Sequence, residues 1–149
     1  MRIALSKRST TFLTSLIVLL TISTQSFADS TTCMTKAIYF ESRGGSDKDM
    51  LAVGHTIMNR VKSKSFPNTV CAVVNQRSQF SPHIRKGSSM KETKSVAKSK
   101  DLARKIISKT SKDFTNGATY FHTPAVRPGW AGRFKRVYTN SQHYFYKPN

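Results

Sequence analysis

The sequence predicts an α+β domain, predominantly helical, with a small antiparallel strand pair near the C-terminus. Three observations carry that expectation. Apolar residues recur at helical spacing through 30–62 and again through 89–109. After the turn signal Asn116-Gly117, residues 118–123 and 143–147 alternate as half-buried strands do. Helices come first and strands last, the order of an α+β fold.

The first 28 residues read as a secretory signal peptide. Arg2, Lys7 and Arg8 give a positive start, a short apolar run covers 12–22, and Ser26-Phe27-Ala28 offers small residues for cleavage. The run is too short and too rich in Thr to span a bilayer comfortably. No leucine-rich lipobox precedes Cys33, so a lipoprotein is not expected; an uncleaved anchor is the other reading, and the mature chain is expected to start at Asp29. That leaves 149 − 28 = 121 residues for 29–149, one compact domain with a single core, read as a monomer.

Within it, residues 30–43 form the first expected helix, with Ser30, Thr31 or Thr32 as N-cap and Gly44-Gly45 as the stop. Ser46 or Asp47 caps a second helix to about Lys62, with Met50, Val53, Ile57, Met58 and Val61 on its apolar stripe. Phe66-Pro67-Asn68 breaks the chain before a short helical turn at 69–74. Residues 76–87 read as an irregular loop. Ser89 and Glu92 have capping-box spacing and open a third long helix to about Lys109, with Val96, Ala103, Ile106 and Ile107 buried. A Pro- and Gly-containing loop carrying Trp130 separates the two strands.

The chain has 25 Lys and Arg against 7 acids, a formal charge of +18, or +15 once the three basic residues before Asp29 are removed. Such an excess attracts polyanions. For an exported chain these are anionic envelope polymers rather than nucleic acid. Cys33 and Cys71 form a possible disulfide in an oxidising compartment; two buried thiols are the other reading. Closing a 71 − 33 = 38-residue loop would stabilise the fold by about 4 kcal/mol in the chain-entropy model.

One of the few acids stands in an unexpected place. Met34, Ile38 and Glu41 fall at i, i+4 and i+7, and Ala37 joins their stripe, so Glu41 sits at the inner end of a core-facing row. A carboxyl there is either desolvated, with a raised pKa and use as a proton donor, or turned to Arg43 in an ion pair.

The blocks AIYFESRGG from Ala37, LAVGHTIMNRV from Leu51, FPNTVCAVV from Phe66, QFSP from Gln79, GATYFHTPAVRPGW from Gly117 and HYFY from His143 resemble the spore-cortex-lytic family of bacterial cell wall hydrolases. The resemblance implies a lysozyme-like, lytic-transglycosylase-type domain acting on peptidoglycan glycan strands. It implies cleavage of the β-1,4 bond between N-acetylmuramic acid and N-acetylglucosamine, Glu41 as the catalytic acid, and no cofactor. The chain departs from the family's pattern at Ser42, usually alanine, at Gly45, usually an acid, and at Pro82, usually tryptophan. Glycosidases that use water or a covalent intermediate need two carboxylates roughly 5 to 9.5 Å apart. Here Asp29, Asp47, Asp49, Glu92, Asp101 and Asp113 read mostly as termini, caps or surface, with Asp113 alone left as a loop candidate. A one-acid transglycosylase fits best; a water-using muramidase, a non-catalytic wall-binding protein and a histidine-based nuclease are the rivals.

Substrate contacts are expected from Tyr39, Arg43, Asn59, Gln79, Ser81, His122, Trp130 and His143. Core or bracing roles stand beside these for Tyr39, Asn59, Trp130 and the two histidines, which could face one another across the strand pair. His55, His83, His122 and His143 lack paired metal-ligand spacing, so no metal site is expected.

Overall fold

A computed structural model describes residues 11–81, 84, 87–91 and 93–149. Arg2, Lys7, Arg8, Pro82, His83 and Glu92 lie outside the described residues. The elements are α1 (Thr11–Ser42), α2 (Asp47–Lys62), α3 (Val70–Val74), α4 (Thr93–Ile107), β1 (Tyr120–His122), β2 (Lys135–Thr139) and β3 (Tyr144–Lys147). The α+β class holds: a helical layer is followed by a small antiparallel sheet.

α1 differs from the expected helix at its start. No residue of the Ser30–Thr32 group caps it, because the helix runs through them. The hydroxyls of Thr31, Thr32 and Thr35 donate instead to the carbonyls of Phe27, Ala28 and Thr31, four residues back, at 2.9, 3.0 and 2.7 Å. α1 ends as expected, Gly44 taking φ +87° after it. Among the described residues no helix is long and apolar enough to cross a membrane.

α2 begins with a reciprocal capping box. The Asp49 backbone N–H donates to Ser46 Oγ at 3.2 Å, and the Ser46 N–H donates back to Asp49 Oδ2 at 2.8 Å. Gly54 lets α2 nest between its neighbours: a Cβ there would run into Ile106 and press on Ile38 at 3.3 Å. Met34, Ala37 and Ile38 of α1, Val53 and Ile57 of α2, Val73 and Val74 of α3, and Ala103 and Ile106 of α4 build one core. The Cys33–Cys71 disulfide is formed, joining α1 to α3 with Cα atoms 5.2 Å apart.

The sheet has three strands rather than two, in the order β1-β3-β2. β1 pairs β3 antiparallel, Tyr120 opposite Tyr146 and His122 opposite Tyr144, which is the expected pair. β2, in the segment expected as loop, pairs the other edge of β3 with a bulge between Arg136 and Tyr138. The bulge breaks the period-two pattern, so this strand does not read as one in the sequence.

Candidate active site

Four segments far apart in sequence build the cleft at Glu41. The core-facing stripe of α1 keeps Met34, Ala37 and Ile38 fully buried and brings Glu41 to the surface at the helix end, half-buried. The loop after α3 closes over it: the Ser81 backbone N–H donates to Glu41 Oε1 at 2.6 Å. The cleft encloses about 380 Å³, lined by Ser78, Gln79, Phe80, Phe121, Thr123 and His143 besides Glu41 and Ser81.

Burial raises the Glu41 pKa above the ordinary 4.5, and the Ser81 N–H, which favours the anion, offsets only part of that. Among the described residues no cation is paired with it. Arg43 is turned away: its Nη1 donates to the Tyr39 hydroxyl at 2.9 Å and its guanidinium lies 5.1 Å from the Tyr39 ring. The ion-pair reading of Glu41 with Arg43 therefore falls.

His143 forms one wall. It is 3% exposed, and burial pulls its pKa down to about 4, so the ring is neutral at pH 7 and sets no positive charge beside Glu41. Its Nδ1 is buried without a hydrogen-bond partner among the described residues. Phe121 packs edge-on against it at 5.0 Å. Ser81 contributes through its backbone, and Gln79 is exposed at the rim.

Four other expected contacts lie elsewhere. Tyr39 is 1% exposed and belongs to the core, a consequence of facing inward beside Ile38. The Asn59 amide braces the loop before β1, donating to Asp113 at 2.9 Å and to the Ala118 carbonyl at 3.1 Å. His122 and Trp130 sit on the opposite face of the sheet from His143, because strand alternation sends Phe121, His143 and Phe145 one way and Tyr120, His122, Tyr144 and Tyr146 the other. The two histidines do not face one another.

Among the described residues no second carboxylate lines the cleft. Asp49 accepts from Ser46 and Ser141, and Asp113 accepts from Asn59 and Thr115; these hydrogen bonds outweigh burial and hold both below the usual aspartate range. Both acids are thus committed to bracing loops. Among the described residues no three His, Cys, Asp or Glu converge on a metal-sized site.

Sequence reasoning missed Phe121, Thr123, Arg60 and Gln142. Phe121 and Thr123 share one face of β1 and its extension, a regularity that names them only once the cleft side is known. Arg60 is 3% exposed, and its Nε donates to the Thr119 carbonyl at 2.6 Å. Its guanidinium lies 4.9, 5.1 and 5.4 Å from the rings of Phe66, Phe80 and Tyr120. Burial lowers its pKa to about 10, so it stays cationic and props Phe80, a wall of the cleft, from below.

Gln142 explains two departures from the family's pattern together. Ser42 Oγ donates to Gln142 Oε1 at 2.8 Å, and a Cβ at Gly45 would stand 2.8 Å from that oxygen and 2.9 Å from Asp49 Cβ. Gly45→Ala is therefore expected to destabilise the fold by about 1–3 kcal/mol. Adding Gln142→Ala should restore only part of the loss, since Asp49 remains in the way. Thermal melts of both variants check this; a Gly45→Ala protein as stable as the parent refutes it.

Fold and cleft together define a small, mostly helical domain presenting, among the described residues, one desolvated carboxyl in an open groove. Residues 44–146 match the Cell Wall Hydrolase family, and the chain belongs to it. The matched segment begins just after Glu41. The catalytic domain of the Bacillus cereus SleB protein is 27% identical, with a TM-score of 0.65, over 80% of this chain and 91% of that one. The catalytic domain of a germination-specific lytic transglycosylase, SleB from Bacillus anthracis, is also 27% identical with a TM-score of 0.65, over 79% and 93%. No curated protein sequence matches this chain. Membership of the family implies peptidoglycan as substrate, and with the disulfide it suggests a site outside the cytoplasm.

Proposed function

We propose that the chain is an exported lytic transglycosylase that cleaves the β-1,4 bond between N-acetylmuramic acid and N-acetylglucosamine, with Glu41 as acid and then base. The observation that carries this reading is a half-buried carboxyl, with raised pKa and no cation paired with it among the described residues, facing an open cleft.

A glycan strand lies in the cleft with the scissile oxygen at Glu41. The protonated carboxyl gives its proton to that oxygen as the bond to the muramic anomeric carbon breaks. The carboxylate left behind is held by the Ser81 N–H and takes the proton of the muramic acid's 6-hydroxyl. The 6-oxygen then bonds to the anomeric carbon, closing a 1,6-anhydro ring and restoring the acid. One carboxyl serves both steps, which suits a cleft lined, among the described residues, by one carboxyl. His143, neutral beside it, leaves the raised Glu41 pKa unopposed.

Residues 1–28 are proposed as the export signal, and the mature domain as a monomer at the wall, in the periplasm or outside the cell. Its +15 charge, given above, favours anionic envelope polymers around the glycan.

Mass spectrometry of digested peptidoglycan tests the reaction. Muramic ends one water lighter than reducing ends are expected. Ordinary reducing ends would require an activated water and overturn the anhydro mechanism.

A further inference from the structure

The outer face of the sheet holds a second cavity, which the Glu41 chemistry does not use. It encloses about 310 Å³ and is lined by His122, Pro124, Arg127, Arg136, Tyr144 and Tyr146, among others. It lies across the sheet from the Glu41 cleft, at the end of β1: Thr123 lines that cleft, while His122 and Pro124 on either side of it line this one.

Its walls are pre-set. The bulge in β2 separates two side chains that regular alternation would put on one face. Tyr138 packs on Phe145 at 5.5 Å, and Arg136 lies 4.5 Å over the Tyr144 ring and 5.7 Å from Tyr146. The Tyr146 ring stacks on His122 at 5.2 Å, and its hydroxyl is hydrogen-bonded to His122 Nε2 at 3.1 Å. Among the described residues neither Arg136 nor Arg127 is paired with a carboxylate, and no acid lines the cavity. An arginine laid on an aromatic face keeps its plane fixed and its N–H edge free, which is the geometry that receives a carboxylate on two bonds.

The muramic acid units of peptidoglycan carry short peptides with several carboxylates. A peptide carried by a muramic residue at Glu41 would reach this cavity by passing round the strand end at Thr123. We propose that this cavity binds a carboxylate of the substrate's peptide stem, with Arg136 as its main partner and Arg127 as the second. The proposal rests on peptidoglycan being the substrate, but it does not need Glu41 to be the acid.

Trp130, the chain's only tryptophan, touches both His122 and Tyr146 at ring distances of 5.6 and 5.4 Å and reports on the cavity. A free stem tetrapeptide titrated into the Glu41→Gln protein should change Trp130 fluorescence saturably. Converting the peptide's carboxylates to amides should weaken binding about tenfold or more, as should Arg136→Gln, with Arg136→Lys in between. Equal affinity for the two peptides, no saturable change, or an unaffected Arg136→Gln protein overturns the proposal. With the active chain, kcat/KM on native strands should exceed that on amidated strands, and Arg136→Gln should bring that ratio close to one. A ratio of one in the parent protein also overturns it. Strands left uncleaved while Trp130 still reports carboxylate-dependent binding would refute the catalytic reading and leave this one standing.

Discussion

Glu41→Gln is expected to lower turnover on purified peptidoglycan roughly a thousandfold, the contribution a positioned proton donor makes. Glutamine keeps the shape and can still accept the Ser81 N–H, so the loss should fall on kcat and leave binding of the strand nearly intact. The same substitution should stabilise the protein at neutral pH. Glu41's folded pKa is raised above 4.5, so between 4.5 and that higher value the folded chain holds a proton that the unfolded chain has lost. Stability from this group is complete below pH 4.5 and falls as pH rises through the folded pKa. Glutamine has nothing to ionise. The variant's melting temperature should therefore exceed the parent's near pH 7 and match it near pH 4. The parent's activity should decline on the alkaline side as the proton is lost. A Glu41→Gln enzyme that cleaves like its parent would end the catalytic reading outright. A variant less stable than its parent at pH 7 would show that the carboxylate is not desolvated.

How much of this was legible follows from the range of the forces involved. The inward row of Met34, Ile38 and Glu41 is local geometry, three residues on one helix, and the sequence displays it directly. The start of α2 at Ser46 is equally local. β2 is different. Its alternation is interrupted between Arg136 and Tyr138, and its partner β3 lies past a turn, so only the folded sheet shows why Lys135–Thr139 is extended. Asn59 and Tyr39 show another limit. Each is a polar group inside a conspicuous family block, and sequence cannot distinguish an amide that meets a sugar from one that meets Asp113 and Ala118. Arg60 escapes for a related reason: its aromatic cage is gathered from Phe66, Phe80 and Tyr120, on three separate segments. The walls of the Glu41 cleft are likewise long-range. Ser81 stands 40 residues from Glu41, and nothing in either neighbourhood announces the 2.6 Å contact.

Removing the disulfide should have the largest effect on stability. Replacing Cys33 and Cys71 by alanine is expected to cost about 4 kcal/mol, the loop-closure entropy of a cross-link spanning 38 residues. For a domain of this size that corresponds to a melting temperature lower by roughly 10–20 °C. The local consequence reaches the cleft. α3 is five residues long, too short to hold a helix by itself, and it is kept in place by the Thr69 cap, by burial of Val70, Val73 and Val74, and by the bond from Cys71 to α1. The loop carrying Gln79, Phe80 and Ser81 begins just beyond it. Loosening α3 should let the Ser81 N–H leave Glu41, removing the contact that stabilises the carboxylate formed after the first proton transfer. Activity should therefore drop several-fold well below the melting temperature, while Glu41→Gln changes activity without that loss of stability. Melts and rates of the two alanine variants, with and without reductant on the parent chain, separate these contributions. Reductant that leaves the parent's melting temperature unchanged would mean that packing alone holds α3, and that the cross-link contributes nothing to the cleft.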